Sequence, residues 1–342
     1  MVGVSTLTPQ QALSRIAELL MRGGAPVYRS RAFHSAAKAI EHMPEEELRR
    51  LADAGRLRDI PGVGEKTATV IEEALAGETP EYLQKLLEHA SSPESAEGNA
   101  LREALRGDLH LHSNWSDGGD TILEMATKAR DLGHDYVALT DHSPRLKVAN
   151  GLSPDRLREQ LEVVADVNRE LAPFRLLTGI EVDILDDGSL DQEDELLAKV
   201  DVVVASVHSK LRMAEPDMTA RMVAAMANPH ADILGHCTGR LLTGRGRPPS
   251  TFDPDAVFGT CKRHDKAVEI NSRPERLDPP RELLRQVVDM GIKIAISTDA
   301  HATEQLEWQS FGTSRAAECG VQAESVVNAW KSDDLLGWCE SH

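Results

Sequence analysis

Apolar residues along this chain follow two different periods. Over residues 1–90 they recur at helical spacing: Ala12, Ile16, Leu19 and Leu20 share one face of a helix expected from Pro9 to Arg22, and Thr8 stands where an N-cap belongs. The stretches 30–43 and 44–54 predict two further helices. The run LRDIPGVGEKTATVIEEALAG is broken at Pro61-Gly62-Val63-Gly64 and continues as an alanine-rich helix. Small, polar and acidic residues follow in ASSPESAEGNA (90–100), so a linker is expected over 91–104, between an all-α domain (1–90) and a second domain (105–342).

From residue 107 the pattern changes to short β-branched or leucine-rich runs: DLHLHS, DYVALTDH, FRLLTGIEVDIL, VDVVVASVH, ADILGHC, KAVEINS and IKIAISTDAH. Stretches of helical character separate most of them, at 120–132, 154–171, 218–226 and 280–290. Seven strands alternating with helices predict an α/β domain of parallel βα units, most simply a closed barrel, with an open doubly wound sheet as the alternative.

The chemistry sits at the strand ends. In GDLHLHSNWSDG, His110 and His112 occupy alternate positions of a strand and so share one face, with Asp117 in the turn beyond. Later runs end in the same manner: Asp141-His142, Glu181, His208, His236, Glu269 with Asn271, and Asp299-Ala300-His301. In a βα barrel the C-terminal ends of the strands converge on one mouth, so residues from 110 to 301 would meet there. Six of the thirteen histidines occupy these positions. A lone histidine is ordinarily a satisfied core or surface residue, but a repeat on strand after strand calls for cations. Without them, so many imidazoles and carboxylates in one mouth repel or go unpaired. A His/Asp/Glu set without thiolate suits Zn, Mn or Fe. Nine candidates exceed one ion's needs, which implies two or three divalent ions with Glu181 as a bridge. Close-set ions of this kind activate a water and clamp a phosphoryl oxygen.

Composition narrows the partners. A formal charge of −18 argues against indiscriminate nucleic-acid binding. Between residues 15 and 38, however, five basic residues (Arg15, Arg22, Arg29, Arg31, Lys38) face a single acid, Glu18. The cysteines (Cys237, Cys261, Cys319, Cys339) show no paired spacing and read as reduced thiols of a cytoplasmic protein. No run is long and apolar enough for a membrane span, and MVGVSTLTPQQ lacks the features of a secretory signal. A monomer without membrane contact is expected.

Taken in order, HLHSNWSDG, ALTDHS, GIEVDI, ASVHS, ILGHCTGR, EINSRPERLD and STDAH resemble the polymerase-and-histidinol-phosphatase (PHP) domain, from residue 107 to the C-terminus. The resemblance implies a distorted seven-stranded (β/α)7 barrel with a trinuclear metal centre. It assigns His110, His112, Glu181 and Asp299 to a first ion, Glu181, His208 and His236 to a second, and Asp117, His142 and His301 to a third. Catalytic roles are implied for Glu181, Asp299 and His208; Arg240 would meet a phosphate, and Asn271 would support ligands or substrate. The segments ILGHCTGR and EINSRPERLD are most similar to the PHP domain at the C-terminus of bacterial family X DNA polymerases, with Cys237 where that family usually has proline.

The N-terminal region resembles the same polymerases: APVYRSRAFHSAAKAIEHMP is similar to their lyase-like small domain, and IPGVGEKTATVI to a helix-hairpin-helix. This implies sequence-independent contacts to DNA phosphates at Arg29, Arg31, Lys38, Gly62, Gly64 and Lys66. The fingers and palm of a polymerase, with their paired aspartates, have no counterpart before the barrel begins, so no nucleotide polymerisation is expected. The implied function is a metal-dependent phosphoesterase acting on gapped, nicked or ended duplex DNA in repair, as a 3′→5′ exonuclease, 3′-phosphatase or AP endonuclease. Two alternatives stand beside it: a small-molecule phosphatase of the histidinol-phosphatase type, and a non-catalytic DNA-binding module whose metals are structural.

Overall fold

A computed structural model of the chain describes residues 7–22, 27–89, 95–242 and 246–341. It separates into two compact units, one ending at residue 93 and the next starting at residue 94.

Among its described residues the first unit has five α-helices, α1 (Pro9–Arg22), α2 (Val27–Ile40), α3 (Glu45–Asp53), α4 (Glu65–Leu75) and α5 (Glu81–His89), with a short 3-10 turn at Leu57–Asp59. Thr8 caps α1, its hydroxyl accepting the Gln11 N–H at 3.2 Å. Relative to the sequence pattern, α2 starts earlier and α3 starts one residue later, after Pro44. The three glutamates Glu45, Glu46 and Glu47 then occupy the first turn of α3, where the helix dipole favours negative charge. The helices bury Leu13, Ile16, Phe33, Ile40, Leu57, Ile71 and Leu83 in one cluster, and Phe33 stacks on Tyr82 at 5.5 Å between centroids. Between α3 and α4 the chain makes a tight turn in which Gly62 takes φ +91°. The Gly64 N–H donates to Thr67 Oγ1 at 2.8 Å and so fixes the start of α4.

The expected linker holds a surprise. Residues 90–94 lie outside the described residues, but 96–104 form a helix, α6 (Ala96–Ala104), capped by Ser95. Its Leu101, followed by Leu105, is buried in the core of the second unit. Two apolar residues four apart suffice to fold it, despite the acidic, small-residue composition.

Seven parallel strands follow: β1 (Gly107–Leu111), β2 (Tyr136–Leu139), β3 (Arg175–Asp183), β4 (Val202–Ser206), β5 (Ile233–Leu234), β6 (Ala267–Asn271) and β7 (Ile294–Ser297). They pair in sequence order. The ring nearly closes where β1 meets the segment after β7: the His112 N–H donates to Ala300 O at 2.8 Å and the Asp299 N–H to His110 O at 2.9 Å. Helices Ile122–Asp131, Pro154–Leu171, Glu215–Met226, Pro254–Arg263 and Arg281–Asp289 connect the strands. Thr121 and Ser153 cap the first two of these with side-chain oxygens. Leu109, Ala138, Leu177, Val204, Ile233, Ala267 and Ala295 pack together with Leu335 and Trp338 of helix Ser332–Cys339. No described helix is long and apolar enough to cross a membrane.

Candidate metal centre

The register between β1 and β2 slips between Asp108 and Leu111. Such a bulge re-aims side chains. Here it lets Leu109 join the inner apolar cluster while His110 and His112 both face the mouth. The His110 N–H donates to Asp108 Oδ1 at 3.1 Å. Beyond β1, the turn that carries Asp117 closes with the Gly118 N–H on Ser113 O at 2.9 Å. A Cβ at position 118 would lie 2.6 Å from the Ser113 carbonyl carbon, so the Asp-Gly pair is sterically required. At the last strand Asp299 takes φ +54°, an uncommon conformation for a non-glycine residue, which aims its carboxylate at the cluster.

Glu181, at the mouth end of β3, lies at the centre. Its Oε2 is 3.3 Å from His110 Nε2, 3.6 Å from His112 Nε2 and 2.8 Å from His142 Nδ1. Its Oε1 is 3.3 Å from His208 Nε2 and 2.9 Å from His236 Nε2. His112 Nε2 also stands 3.4 Å from Asp299 Oδ1. Asp117 Oδ1 lies 3.5 Å from both His142 Nε2 and His301 Nε2. Every one of the nine residues expected to hold metal therefore reaches this mouth, drawn from six of the seven strand ends.

These groups fit cations. Both oxygens of Glu181 are buried without a hydrogen bond, as are ring nitrogens of His110, His112, His142, His208 and His236. Orphaned buried polar atoms are expensive, so their concentration at one point needs a partner they can share. The ligand atoms form four overlapping groups: His110, His112 and Asp299; His110, Glu181 and His236; His142, Glu181 and His208; and His112, Asp117, His142 and His301. Bonds of about 2.1 Å to a tetrahedral ion separate ligand atoms by about 3.4 Å, close to the spacings seen here. Burial pushes the carboxyl of Glu181 up, but the charges of His110, His208 and His142 outweigh it and hold it well below the usual range. Asp299 is likewise held low against burial by His112 and Arg273. Burial, then His301 and His142, drive His112 well below the ordinary imidazole value, toward the neutral form that binds metal.

A second layer orients the first. Glu269 accepts from His110 Nδ1 at 2.6 Å and from the His236 N–H at 2.6 Å, which fixes the Nε2 of His110 as its outward atom. Asn271 donates to Glu269 Oε2 (3.2 Å) and Asp299 Oδ2 (3.1 Å) and so supports the ligands rather than lining open space. Asp183 accepts the His208 N–H at 3.0 Å.

Arg240 is placed differently from the expectation. It follows Gly239 at φ +58° and spends its guanidinium on the carbonyls of Arg276 (2.9 Å from Nε) and Leu277. The cations beside the cluster are Arg276, with Nε 3.2 Å from Asp299 Oδ2, and Arg273, with a terminal nitrogen 3.2 Å from His301 Nδ1. Both stand within EINSRPERLD, but nothing in their spacing separates them from Arg240. In the helical unit, Arg29 donates to the Tyr82 hydroxyl at 2.8 Å, and the Gly64 N–H is already engaged by Thr67. Arg31, Lys38, Gly62 and Lys66 are exposed.

Two family models match the chain: a helix-hairpin-helix domain over residues 9–80 and a PHP domain over 108–273. The chain is 30% identical over 244 residues to a probable phosphatase of Thermoanaerobacter sp. (strain X514), covering 67% of this chain and 88% of that protein. The chain belongs to the PHP-domain family. As a PHP protein it is a metal-dependent hydrolase of phosphoester bonds. It is also 41% identical over 231 residues to the DNA polymerase/3′-5′ exonuclease PolX of Bacillus subtilis (strain 168), a match that takes in 68% of this chain but 40% of that longer protein. The two matched domains are 27 residues apart (81–107), too few for a polymerase core. The histidinol phosphate phosphatase of Lactococcus lactis, solved with Zn, L-histidinol and phosphate, is 19% identical with a TM-score of 0.49, covering 64% of this chain and 94% of that one, a likeness too distant to argue from.

Proposed function

We propose that this PHP protein hydrolyses phosphoester bonds in DNA, as a 3′→5′ exonuclease, 3′-phosphatase or AP endonuclease of repair, without polymerising nucleotides. The observation that carries the reading is the joining of a helix-hairpin-helix domain to a barrel whose relative is a polymerase with 3′-5′ exonuclease activity. The helical unit would supply DNA affinity through Arg31, Lys38, Lys66 and the backbone around Gly62, with Arg29 and Gly64 shaping that surface. Because the whole chain is acidic, this binding is local and salt-sensitive. Four free thiols suit a reducing compartment, and we place the protein in the cytoplasm.

In the barrel, two or three ions (Mn, Zn or Fe) would be held by His110, His112, Asp117, His142, Glu181, His208, His236, Asp299 and His301. When bound, such ions ease ionisation of an attacking water and neutralise charge on phosphoryl oxygens. Glu181 holds the cluster together through both carboxylate oxygens. Glu269 keeps His110 in one tautomer, Asn271 locks Asp299 to Glu269, and Arg273 and Arg276 bring positive charge to the side where a phosphoryl group would enter.

Near-full-length coverage of a probable phosphatase gives a second reading, hydrolysis of small phosphomonoesters. Manganese-loaded full-length protein should be given a gapped duplex with a 3′-hydroxyl or 3′-phosphate end and, separately, a panel of small phosphomonoesters. Cleavage of DNA that vanishes in His112→Ala and weakens in Lys66→Glu is the expected result. Turnover of small esters alone, indifferent to Lys66→Glu, would leave the second reading standing.

A further inference from the structure

Among the described residues, the most exposed large hydrophobic side chain is Val148, at 93%. It belongs to the loop between the metal-ligating His142 and the helix Pro154–Leu171, in the run SPRLKVANG (143–151). The loop leaves and returns at the same point: the Leu152 N–H donates to His142 O at 2.7 Å. At this neck a Cβ on Gly151 would fall 1.8 Å from Ser143 O, so the closure requires glycine.

The loop is strapped on every side. Ser143 Oγ and the Arg145 N–H both donate to Asp191 Oδ2, at 2.9 and 2.6 Å. Asn150, in the left-handed conformation at φ +55°, donates through its side chain to Trp115 O at 3.1 Å. Arg156 donates to the carbonyls of Asn150 (2.7 Å) and Gly151 (3.3 Å), and to that of Trp115. Ala149 is buried and Leu146 half-buried, which anchors the loop from within. Held this firmly, the loop exposes Lys147, Val148 and Arg145, the last with 69% of its side chain exposed and its Nε 3.9 Å from Asp191 Oδ1, beside Asn150, whose side chain is tied to Trp115.

We infer that this loop is the barrel's own DNA contact, with Val148 wedging against an unstacked base at the strand end and Arg145 and Lys147 holding the adjacent phosphates. The inference rests on the DNA reading above. An isolated exposed valine is unremarkable on a protein surface. A rigid one, preceded by the cations Arg145 and Lys147, in a loop whose neck is at His142, matches how proteins part bases: an apolar side chain enters the stack while cations track the backbone. Charge complementarity points to a phosphate-bearing partner, since the loop carries two exposed cations, Lys147 and Arg145, the latter with Nε 3.9 Å from Asp191 Oδ1. Rigidity lowers the entropy of ordering the loop at a DNA end.

The test uses full-length, manganese-loaded protein and the variants Val148→Ser and Arg145→Ala/Lys147→Ala. Each is assayed on a gapped duplex bearing 2-aminopurine at the 3′ end and on p-nitrophenyl phosphate, with binding measured across a salt series. Val148→Ser should lower kcat/KM on DNA about tenfold and suppress the 2-aminopurine signal of base unstacking, with p-nitrophenyl phosphate turnover unchanged. The double variant should flatten the slope of log K against log salt by about 1.4 to 1.8, the equivalent of two phosphate contacts. DNA cleavage and salt slope equal to the parent's would overturn the loop's role and leave the DNA reading intact. Equal losses on DNA and on the small ester would also overturn it, revealing a loop that merely supports His142. If the parent itself neither binds nor cleaves DNA, both readings fall.

Discussion

The two ends of the barrel both bury acids, and they treat them in opposite ways. At the mouth, imidazoles and Arg273 hold Glu181 and Asp299 ionised despite full burial. At the foot, where the strands begin, burial pushes Asp232 up to about 8, against a hydrogen bond from the Val203 N–H and the charge of Lys266. The foot also contains a cavity of about 350 Å³, lined in part by Lys199, Asp201, His230, Asp232 and Cys339. Its two aspartates are tied to the backbone: Asp201 accepts the Thr178 N–H at 2.8 Å, and Asp232 the Val203 N–H at 2.7 Å. At the mouth, both oxygens of Glu181 and ring nitrogens of His110, His112, His142, His208 and His236 are instead buried without hydrogen bonds. Neither a cavity nor a buried acid marks chemistry by itself. What marks it is a set of buried polar groups left for a shared partner.

The harshest way to break this contrast is Glu181→Gln. Phosphoester turnover should fall by at least about 10³-fold, because a charge set among the ions would contribute several kcal/mol, and elemental analysis should show lost metal. Full activity and full metal content would erase the distinction between the two ends. Glu269→Gln touches no metal directly yet should weaken metal binding by about 10- to 100-fold, by freeing the His110 ring, as a titration with Mn or Zn would show.

Arg276→Ala and Arg240→Ala separate a cation that faces the mouth from one that braces its wall. The first should raise KM for phosphoesters; the second should lower stability by about 1–2 kcal/mol through the lost bonds to the carbonyls of residues 276 and 277, with KM little changed. Denaturant melts beside steady-state kinetics decide between them, and the reverse pattern would restore Arg240 to the phosphate role.

The smallest effect is expected at the foot. Asp232 binds its proton more tightly in the folded chain than at its ordinary value of 3.8, so it favours folding at low pH, and that contribution fades as pH rises toward about 8. Asp232→Asn removes the titration, so melting temperature should fall less between pH 5 and pH 8 in the variant than in the parent. Parallel curves would show that the foot's acid carries no burial strain.

Much of this was legible in the residues. Short β-branched or leucine-rich runs alternating with helical stretches specify parallel βα units, and a polar, ligand-type residue at the end of each apolar run specifies where the chemistry gathers. The family resemblance in HLHSNWSDG and STDAH implied a division of those residues among ions. Other features were hidden. The helix at 96–104 reads as a linker because its composition is that of one, and only burial of Leu101 and Leu105 against the barrel makes it fold. Arg240, Arg273 and Arg276 look equivalent along the chain; Gly239's left-handed turn sends the first to backbone carbonyls, while the other two reach Asp299 and His301.

The sequence by itself determined the kinds of groups available and their spacing along each strand, because side-chain period and ligand chemistry are local properties. Only the tertiary structure decided their directions. The bulge in β1, the positive φ of Asp299 and the neck of the 143–151 loop each turn a side chain by an amount that depends on strands and carbonyls far away in the chain, and no local pattern carries that information.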